Sequence, residues 1–429
     1  MKRFIGFLLG FCLLSWFPGL SGKVMGQTVA GDFFEAIRGG KFSGAIRTSY
    51  EYSDLKQSPA VSPAHGFTAR VRLAYRTADF LGTSGFMQIQ HVADLWDDYK
   101  IPKGPEANNR QRDIIADPPG SRVYQAYIDF KQLPETVVRF GRQVIIMDDH
   151  RLIGTIGWRQ QAQSFDAVSL TNKSIPGLEL YAGYAYKVLT IFRTQKRLDG
   201  FYIFHAKYTG IKGHTLSSFV YLLDSEGDAA NDRDLATYGL RAAGKVGMIR
   251  YALDYAYQTD WKDRDYDVSA QMFNVYVGCD LNEMYSLGAG IGYLEGQDDA
   301  DPEDDRAFDT LFSTAHKFNG WADVFLSTNG GKLVNGLMDY YVDFTVKYMG
   351  AKIKFVYHYF DSTDDDAVNF DDAYGDEFDV VVVKKLHKNV KGLLKYAHYN
   401  ERNSSARLAR GLVGGHDEDV FWARLMVNF

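Results

Sequence analysis

The sequence predicts an all-β fold, a transmembrane antiparallel β-barrel of about 18 strands with short periplasmic turns and long extracellular loops. Three features predict it. Apolar and polar residues alternate with strand periodicity almost everywhere after Lys41. Tyr and Phe crowd the ends of the apolar faces, and the connections between alternating segments are short and long in turn.

The first residues form a different element. Lys2 and Arg3 give a positive start, and an apolar run follows from Phe4 to about Leu14. Small residues near Val24-Met25-Gly26 offer a cleavage site, with Thr28-Val29-Ala30 as a second option. This is the pattern of a secretory signal, so residues 1–26 are expected to be removed and 27–429 to form a single barrel domain. A membrane anchor would need a longer apolar core, one not broken by Pro18 and Gly19. Cys12 follows Phe11, which does not suit a lipoprotein signal, and the mature chain keeps only Cys279, so it has no internal disulfide. Losing Lys2, Arg3 and Lys23 takes the formal charge from −6 to about −9.

Composition agrees with a barrel. Aromatics reach 15%, high for a soluble enzyme, yet overall hydropathy is slightly negative, which excludes a helical membrane protein. A barrel reconciles the two, because half of each strand faces lipid and half faces water.

Along the chain, Phe42, Gly44, Ile46, Thr48, Tyr50 and Tyr52 share one face of the first strand, opposite Lys41, Ser43, Ala45, Arg47, Ser49 and Glu51. Phe67, Ala69, Val71, Leu73 and Tyr75 oppose Thr68, Arg70, Arg72, Ala74 and Arg76. The same division recurs over 249–258 and 340–348. Strands are expected at about 41–53, 66–77, 84–94, 121–130, 136–143, 163–171, 177–187, 199–209, 214–224, 234–242, 247–259, 269–279, 283–294, 338–348, 351–361, 376–385, 390–400 and 418–429. An even number leaves both ends on the periplasmic side. The pairs Tyr50/Tyr52, Tyr184/Tyr186, Tyr255/Tyr257 and Tyr357/Tyr359 have the placement of interfacial girdles. Residues 307–326 fall in a long loop, part of which could be strand. The last strand sets Phe421, Ala423, Leu425, Val427 and Phe429 on one face, and this apolar alternation with a terminal Phe resembles the outer-membrane assembly signal.

Catalytic signatures are lacking: there is no Gly-x-Ser-x-Gly elbow and no His-Glu-x-x-His. Asp148-Asp149-His150, His316 and His358 read as loop or wall residues rather than ligands. The sequence predicts no enzyme, cofactor, metal or nucleic-acid partner. The polar faces are more informative. Parity points Arg47, Arg70, Arg72, Arg76, Arg139, Arg241, Arg250, Lys352, Lys354 and Arg424 inward, together with Glu51, Asp129, Glu179, Asp254 and Asp343. Arginine keeps its charge and binds carboxylates in a fork, so a lining rich in it would concentrate anions. Acidic clusters at 298–305 and 361–377 do not have the spacing of an EF-hand loop and read as solvated loops.

Arg139-Phe140-Gly141-Arg142-Gln143 is followed by Asp148-Asp149-His150-Arg151-Leu152-Ile153-Gly154, Gly157-Trp158-Arg159-Gln160 and Ser164-Phe165-Asp166-Ala167-Val168. This run resembles the signature of the alginate-export family of outer-membrane channels, and 311–323 resembles a second family segment. The resemblance implies an eighteen-stranded barrel, an inward-folding loop and an arginine-rich constriction. It offers Arg139, Arg142, Arg151 and Arg159 as constriction residues, with Asp148, Asp149 and Asp166 as counter-charges. Parity sets Arg142 opposite to Arg139 unless the strand bends at Gly141, and the Arg–Asp pairs could equally pin the loop to the wall. The start at 33–47 also resembles porins for small carboxylated solutes. The expected function is passive passage of anionic solutes, small molecules or uronate-type saccharides. The alternatives are a general or small-carboxylate porin, or an adhesin or receptor with a plugged lumen. Expected partners are outer-membrane lipids, lipopolysaccharide, and the barrel-assembly machinery through the strand ending at Phe429.

Overall fold

The computed structural model describes residues 30–56, 61–225, 233–262, 267–297, 304–326, 332–363, 373–402 and 417–429. The expected signal at 1–26 and most of both acidic clusters, 298–303 and 364–372, lie outside the described residues.

A one-turn helix, α1 (Phe33–Arg38), is capped by Asp32, whose side chain accepts from the Glu35 amide. The strands follow as β1 (Lys41–Leu55), β2 (Ala64–Arg76), β3 (Thr83–Asp98), β4 (Gly120–Phe130), β5 (Thr136–Gln143), β6 (Ser164–Asn172), β7 (Leu178–Leu189), β8 (Gln195–Tyr208) and β9 (His214–Asp224). They continue as β10 (Leu235–Val246), β11 (Ile249–Asp260), β12 (Asp267–Asp280), β13 (Tyr285–Leu294), the two-residue β14 (Asp304–Asp305) and β15 (Leu337–Tyr348). The last are β16 (Ala351–Asp361), β17 (Ala373–His387), β18 (Val390–Glu401) and β19 (Glu418–Asn428). Leaving out β14, which lies parallel to the start of β12, eighteen strands pair antiparallel around a closed barrel. The eighteen-strand expectation holds. The β7–β8 hairpin is longer than parity predicts, because irregularities at 185–187 and 197–201 interrupt the alternation without ending the pairing.

Burial is inverted relative to a soluble protein. Leu73, Ile128, Phe140, Leu240, Val342 and Leu394 face outward and are exposed, whereas Ser49, Glu51, Asp129 and Asp343 face inward and are buried. The outer surface is stable only against lipid, which accepts apolar side chains but offers no partner to an open strand edge. Closure removes such edges.

The hydrophobic core therefore lies inside the barrel. It joins Phe165, Phe201, Tyr221, Phe360 and Trp422, all in the extracellular halves of their strands, to Leu152, Ile153, Phe308 and Phe312 from two loops. Those loops, 144–163 and 306–326, fold inward rather than outward and fill much of the extracellular half.

The barrel seam joins β1 to β19 from Ala45–Asn428 to Leu55–Glu418. At its periplasmic end Gly44 and Phe429 exchange two backbone hydrogen bonds, of 2.7 and 2.9 Å. The Phe429 ring occupies the space a Gly44 side chain would need, since a Cβ there would lie 2.3 Å from the ring edge. Gly44→Val should displace the ring and cost about 1–3 kcal/mol by overpacking. The measurement is the denaturant midpoint of the detergent-folded barrel, and an unchanged midpoint would show that Phe429 does not secure the seam.

Candidate functional site: an arginine-held interior

The two inward loops are zipped together before they meet the wall. The Gly154 amide donates to the Phe312 carbonyl at 2.9 Å, and the Phe312 amide donates to the Leu152 carbonyl at 2.9 Å. A side chain at Gly154 would place its Cβ 2.4 Å from Thr314 Oγ1, so this close approach requires glycine.

Wall arginines then grip the first loop by its backbone. Arg47 on β1 donates to the Gly157 carbonyl at 2.8 Å and to the Arg159 carbonyl. Arg424 on β19 donates to the Trp158 carbonyl at 2.8 Å, and Arg70 on β2 donates to the Gln160 carbonyl at 3.3 Å. Four consecutive carbonyls are thus held by three arginines. Arg424 also stacks on the Trp158 ring at 3.6 Å, and Arg72 lies 4.1 Å above the Tyr124 ring.

Arg159 points the other way and ties three elements together. Its guanidinium donates to both Glu51 oxygens on β1, at 2.7 and 3.0 Å, and to Asp323 of the second loop at 2.7 Å. Burial alone would lower its pKa, but Glu51 and Asp323 raise it and fix the charge. From Asp323 the chain of contacts continues: His316 Nδ1 lies 2.6 Å from Asp323 Oδ1, and His316 Nε2 lies 2.7 Å from Lys395 Nζ on β18. A neutral imidazole satisfies both contacts, its Nδ1–H donating to the carboxylate and its Nε2 accepting from the ammonium. Lys395 Nζ sits over the rings of Trp321, at 3.8 Å, and Trp158, at 4.3 Å. Burial, together with the neighbouring Lys395 and Arg159 charges, pushes the His316 imidazole down to about 3, although Asp323 acts against the shift. Burial would raise the Asp323 carboxyl, but His316 and Arg159 hold it well below the usual range.

Sequence-derived residues separate into four groups. Arg47, Arg70 and Arg159 join the buried grip, with Arg72 beside them, holding Gln90 Oε1 at 2.6 Å. Arg76 and Arg139 share Asp129 at 3.2 and 2.7 Å on the periplasmic half of the wall, where both remain partly exposed. Arg151 approaches Asp149 at 3.9 Å and stacks over Phe318 at 4.0 Å. Asp149 also pairs with Arg241 at 3.0 Å. Among the described residues Asp148 bonds to no arginine, Arg241 acting on it only from a distance; it pairs with His205 at 2.9 Å and accepts from Ser217 at 2.7 Å.

Arg142 takes the outward row. It stands opposite Ala126 and Asp166, two positions beyond the lipid-facing Phe140, while the intervening Gly141 has φ +127°. Its fork on Asp166, at 2.7 and 3.0 Å, lies away from Arg139, so Arg142 does not share a lumenal row with it. Gln143, the next residue, turns inward to Ser169.

The inward cations read from the sequence left out Arg122, Lys207 and Lys395. Arg122 reads as outward from Tyr127 and Asp129, but a bulge at Tyr124 reverses the alternation and turns it inward, 5.6 Å from the Tyr124 ring. Lys395 alternates inward with Ala397 and Tyr399, a signal present in the sequence.

Arg159→Met should strand Glu51 and Asp323 and cost about 3–5 kcal/mol. The check is thermal unfolding of the variant beside a second one that also carries Glu51→Gln and Asp323→Asn. Recovery by the second is expected; equal loss in both would deny the charge pairing its role. Acid should also loosen the loops. His316 faces Asp323 on its own loop, Arg159 and Trp158 on the other, and Lys395 and Trp422 on the wall. Above about pH 6.5 the imidazole is neutral whether the loop is docked or released, and from there down toward 3 only the released loop takes up the proton. Loop docking should therefore weaken progressively across that window, read as rising protease cleavage within 306–326 with the barrel still folded. Constant cleavage across the window would refute this.

No curated protein sequence matches the chain significantly. Solved structures show the fold. OccK9 (OpdG) of Pseudomonas aeruginosa superposes with a TM-score of 0.67 at 14% identity, covering 92% of this chain and 100% of that one. OccAB3 of Acinetobacter baumannii gives 0.64 at 12%, covering 91% and 99%. Pseudomonas aeruginosa OpdK, solved with vanillate, gives 0.62 at 12%, covering 91% and 99%. The alginate export family model matches residues 42–403, most of the chain. With that match and an eighteen-strand barrel around an inward-folded loop pair, the chain belongs to the alginate export family and is a porin-like channel of the outer membrane.

Proposed function

We propose that the channel passes anions, either small organic anions or uronate-type saccharides, passively and without catalysis. One observation carries this. Arg47, Arg70, Arg72, Arg122 and Arg424 all face the interior, and among the described residues none of them makes an ion pair. Their bonded donors go to carbonyl, amide and hydroxyl oxygens rather than to carboxylates, and the buried carboxylates of this region, Asp117 and Glu51, act on Arg47, Arg70 and Arg424 only from beyond bonding distance. Five such charges behind low-dielectric walls create a positive potential that draws anions in and repels cations. Arg76, Arg139 and Arg250 extend the positive surface along the periplasmic half, each with a carboxylate neighbour.

A receptor with a closed lumen is the second interpretation. It is favoured by the apolar packing of the two loops inside the extracellular half. Lipopolysaccharide and the assembly machinery are proposed partners of the outer wall and of the strand ending at Phe429. Fold does not choose the solute.

Reconstitution in planar bilayers under a salt gradient separates these. The expected result is a reversal potential of the anion-selective sign, moving toward zero in Arg47→Gln and Arg424→Gln variants. Cation selectivity would overturn the proposal, and an absence of conductance would establish the closed receptor. Concentration-dependent block by uronate oligomers would assign the saccharide branch.

A further inference from the structure

Below the first loop, on the side of the barrel away from the arginine grip, lies a cavity of about 380 Å³. Its wall comes from the periplasmic halves of β5, β6, β7 and β8, and its roof from residues 143–148. Three features mark it as a site rather than a gap. The first is Lys207, which lines the cavity and whose ammonium, among the described residues, makes no ion pair or hydrogen bond. The carboxylates nearby are already engaged, Glu179 with Lys173 at 2.7 Å and Asp148 with His205 and Ser217.

The second is the Tyr181 hydroxyl, which is buried and has no partner at full hydrogen-bond distance, the Ser169 hydroxyl lying near enough only to interact with it weakly. Neighbouring Ser169 donates its own proton to Gln143 at 2.8 Å. A buried hydroxyl left without a partner costs about 1–3 kcal/mol, so an acceptor arriving there is favoured. The third is Ile146. It belongs to a loop inside the barrel yet is 42% exposed, and it faces the cavity beside Val144 and Val137. An uncovered aliphatic side chain within a lumen favours an apolar occupant.

We infer that this cavity is a subsite for a small organic carboxylate bearing an apolar ring or chain. The carboxylate would lie between the Lys207 ammonium and the Tyr181 hydroxyl. The apolar body would cover Ile146 and Val144. Arg139, stacked on Tyr127 at 3.8 Å and forked on Asp129, adds positive charge at the cavity edge without being free to bind fully. The volume falls at the small end of ligand pockets, which suits a compact molecule and not a chain of sugars. A uronate oligomer also lacks the apolar body that Ile146 requires. The inference deepens the anion-channel proposal and rests on it for the route by which the ligand arrives.

The test is calorimetric titration of the detergent-folded full chain with benzoate, benzamide and digalacturonate. Benzoate should bind saturably at one site, whereas benzamide, which lacks the charge, and digalacturonate, which lacks the ring, should bind at least about tenfold more weakly. Lys207→Met and Tyr181→Phe should each weaken benzoate about tenfold while the folded electrophoretic mobility stays at the wild-type value. Absence of saturable benzoate binding, equal binding of benzamide, or unchanged affinity in both variants would overturn the subsite. Because the reversal potential is read separately, an anion-selective channel that does not bind benzoate would refute the subsite alone. Benzoate binding by a cation-selective channel would refute the function proposed above and leave the subsite standing.

Discussion

The ion pairs of Arg159 hold the interior together. A barrel of this width has more space than its wall side chains can fill, so two loops must be stored inside it. Backbone stored in that way carries amides and carbonyls that need partners. Arg47, Arg70 and Arg424 meet the carbonyls, Glu377 accepts the Trp321 and Ala322 amides, and Arg159 links Glu51 on the wall to Asp323 on the second loop. Removing any one charge leaves another buried without compensation, which is why such a network is rigid although each pair alone contributes little net stability.

The same network divides the arginines between two roles. Those on the seam side of the wall are ligands for the loop backbone, and their charge acts at a distance. Those lower on the wall, such as Arg76 and Arg139, keep part of their surface open to the lumen. A positive field can therefore coexist with arginines that no solute touches. The potential and the binding contacts are supplied by different residues.

Much of this was legible in the sequence, because side chains in a strand alternate strictly and lipid enforces the alternation. The barrel, its eighteen strands and the inward direction of Arg47, Arg70, Arg139 and Arg424 follow from parity. Parity fails where the backbone is irregular. The bulge at Tyr124 hid Arg122, and the irregular pairing around Tyr186 concealed the length of the β7–β8 hairpin. The partners of Arg159 were beyond reach for another reason. Glu51 and Asp323 lie more than a hundred residues away on either side, and no local pattern joins them. Segment 311–323 stood out by resemblance, but its role as the second half of an interior clasp emerges only once Phe312 is zipped to Gly154.

The pairing of Gly44 with Phe429 also ties the seam to the two ends of the barrel sequence. The first strand closes against the last, so the seam joins residues separated by nearly the full length of the chain. Lys395 and Arg424, which complete the interior clasp, likewise lie near the C-terminus. Contacts so distant in sequence form late, because chain entropy must be lost before they yield any stabilisation. Until the terminal strand arrives, the arginines of β1 and β2 have no complete binding frame, and the stored loops stay exposed. Closing the wall and locking the interior thus draw on the same terminal strands, and a chain truncated by one strand would lose its channel lining along with its seam.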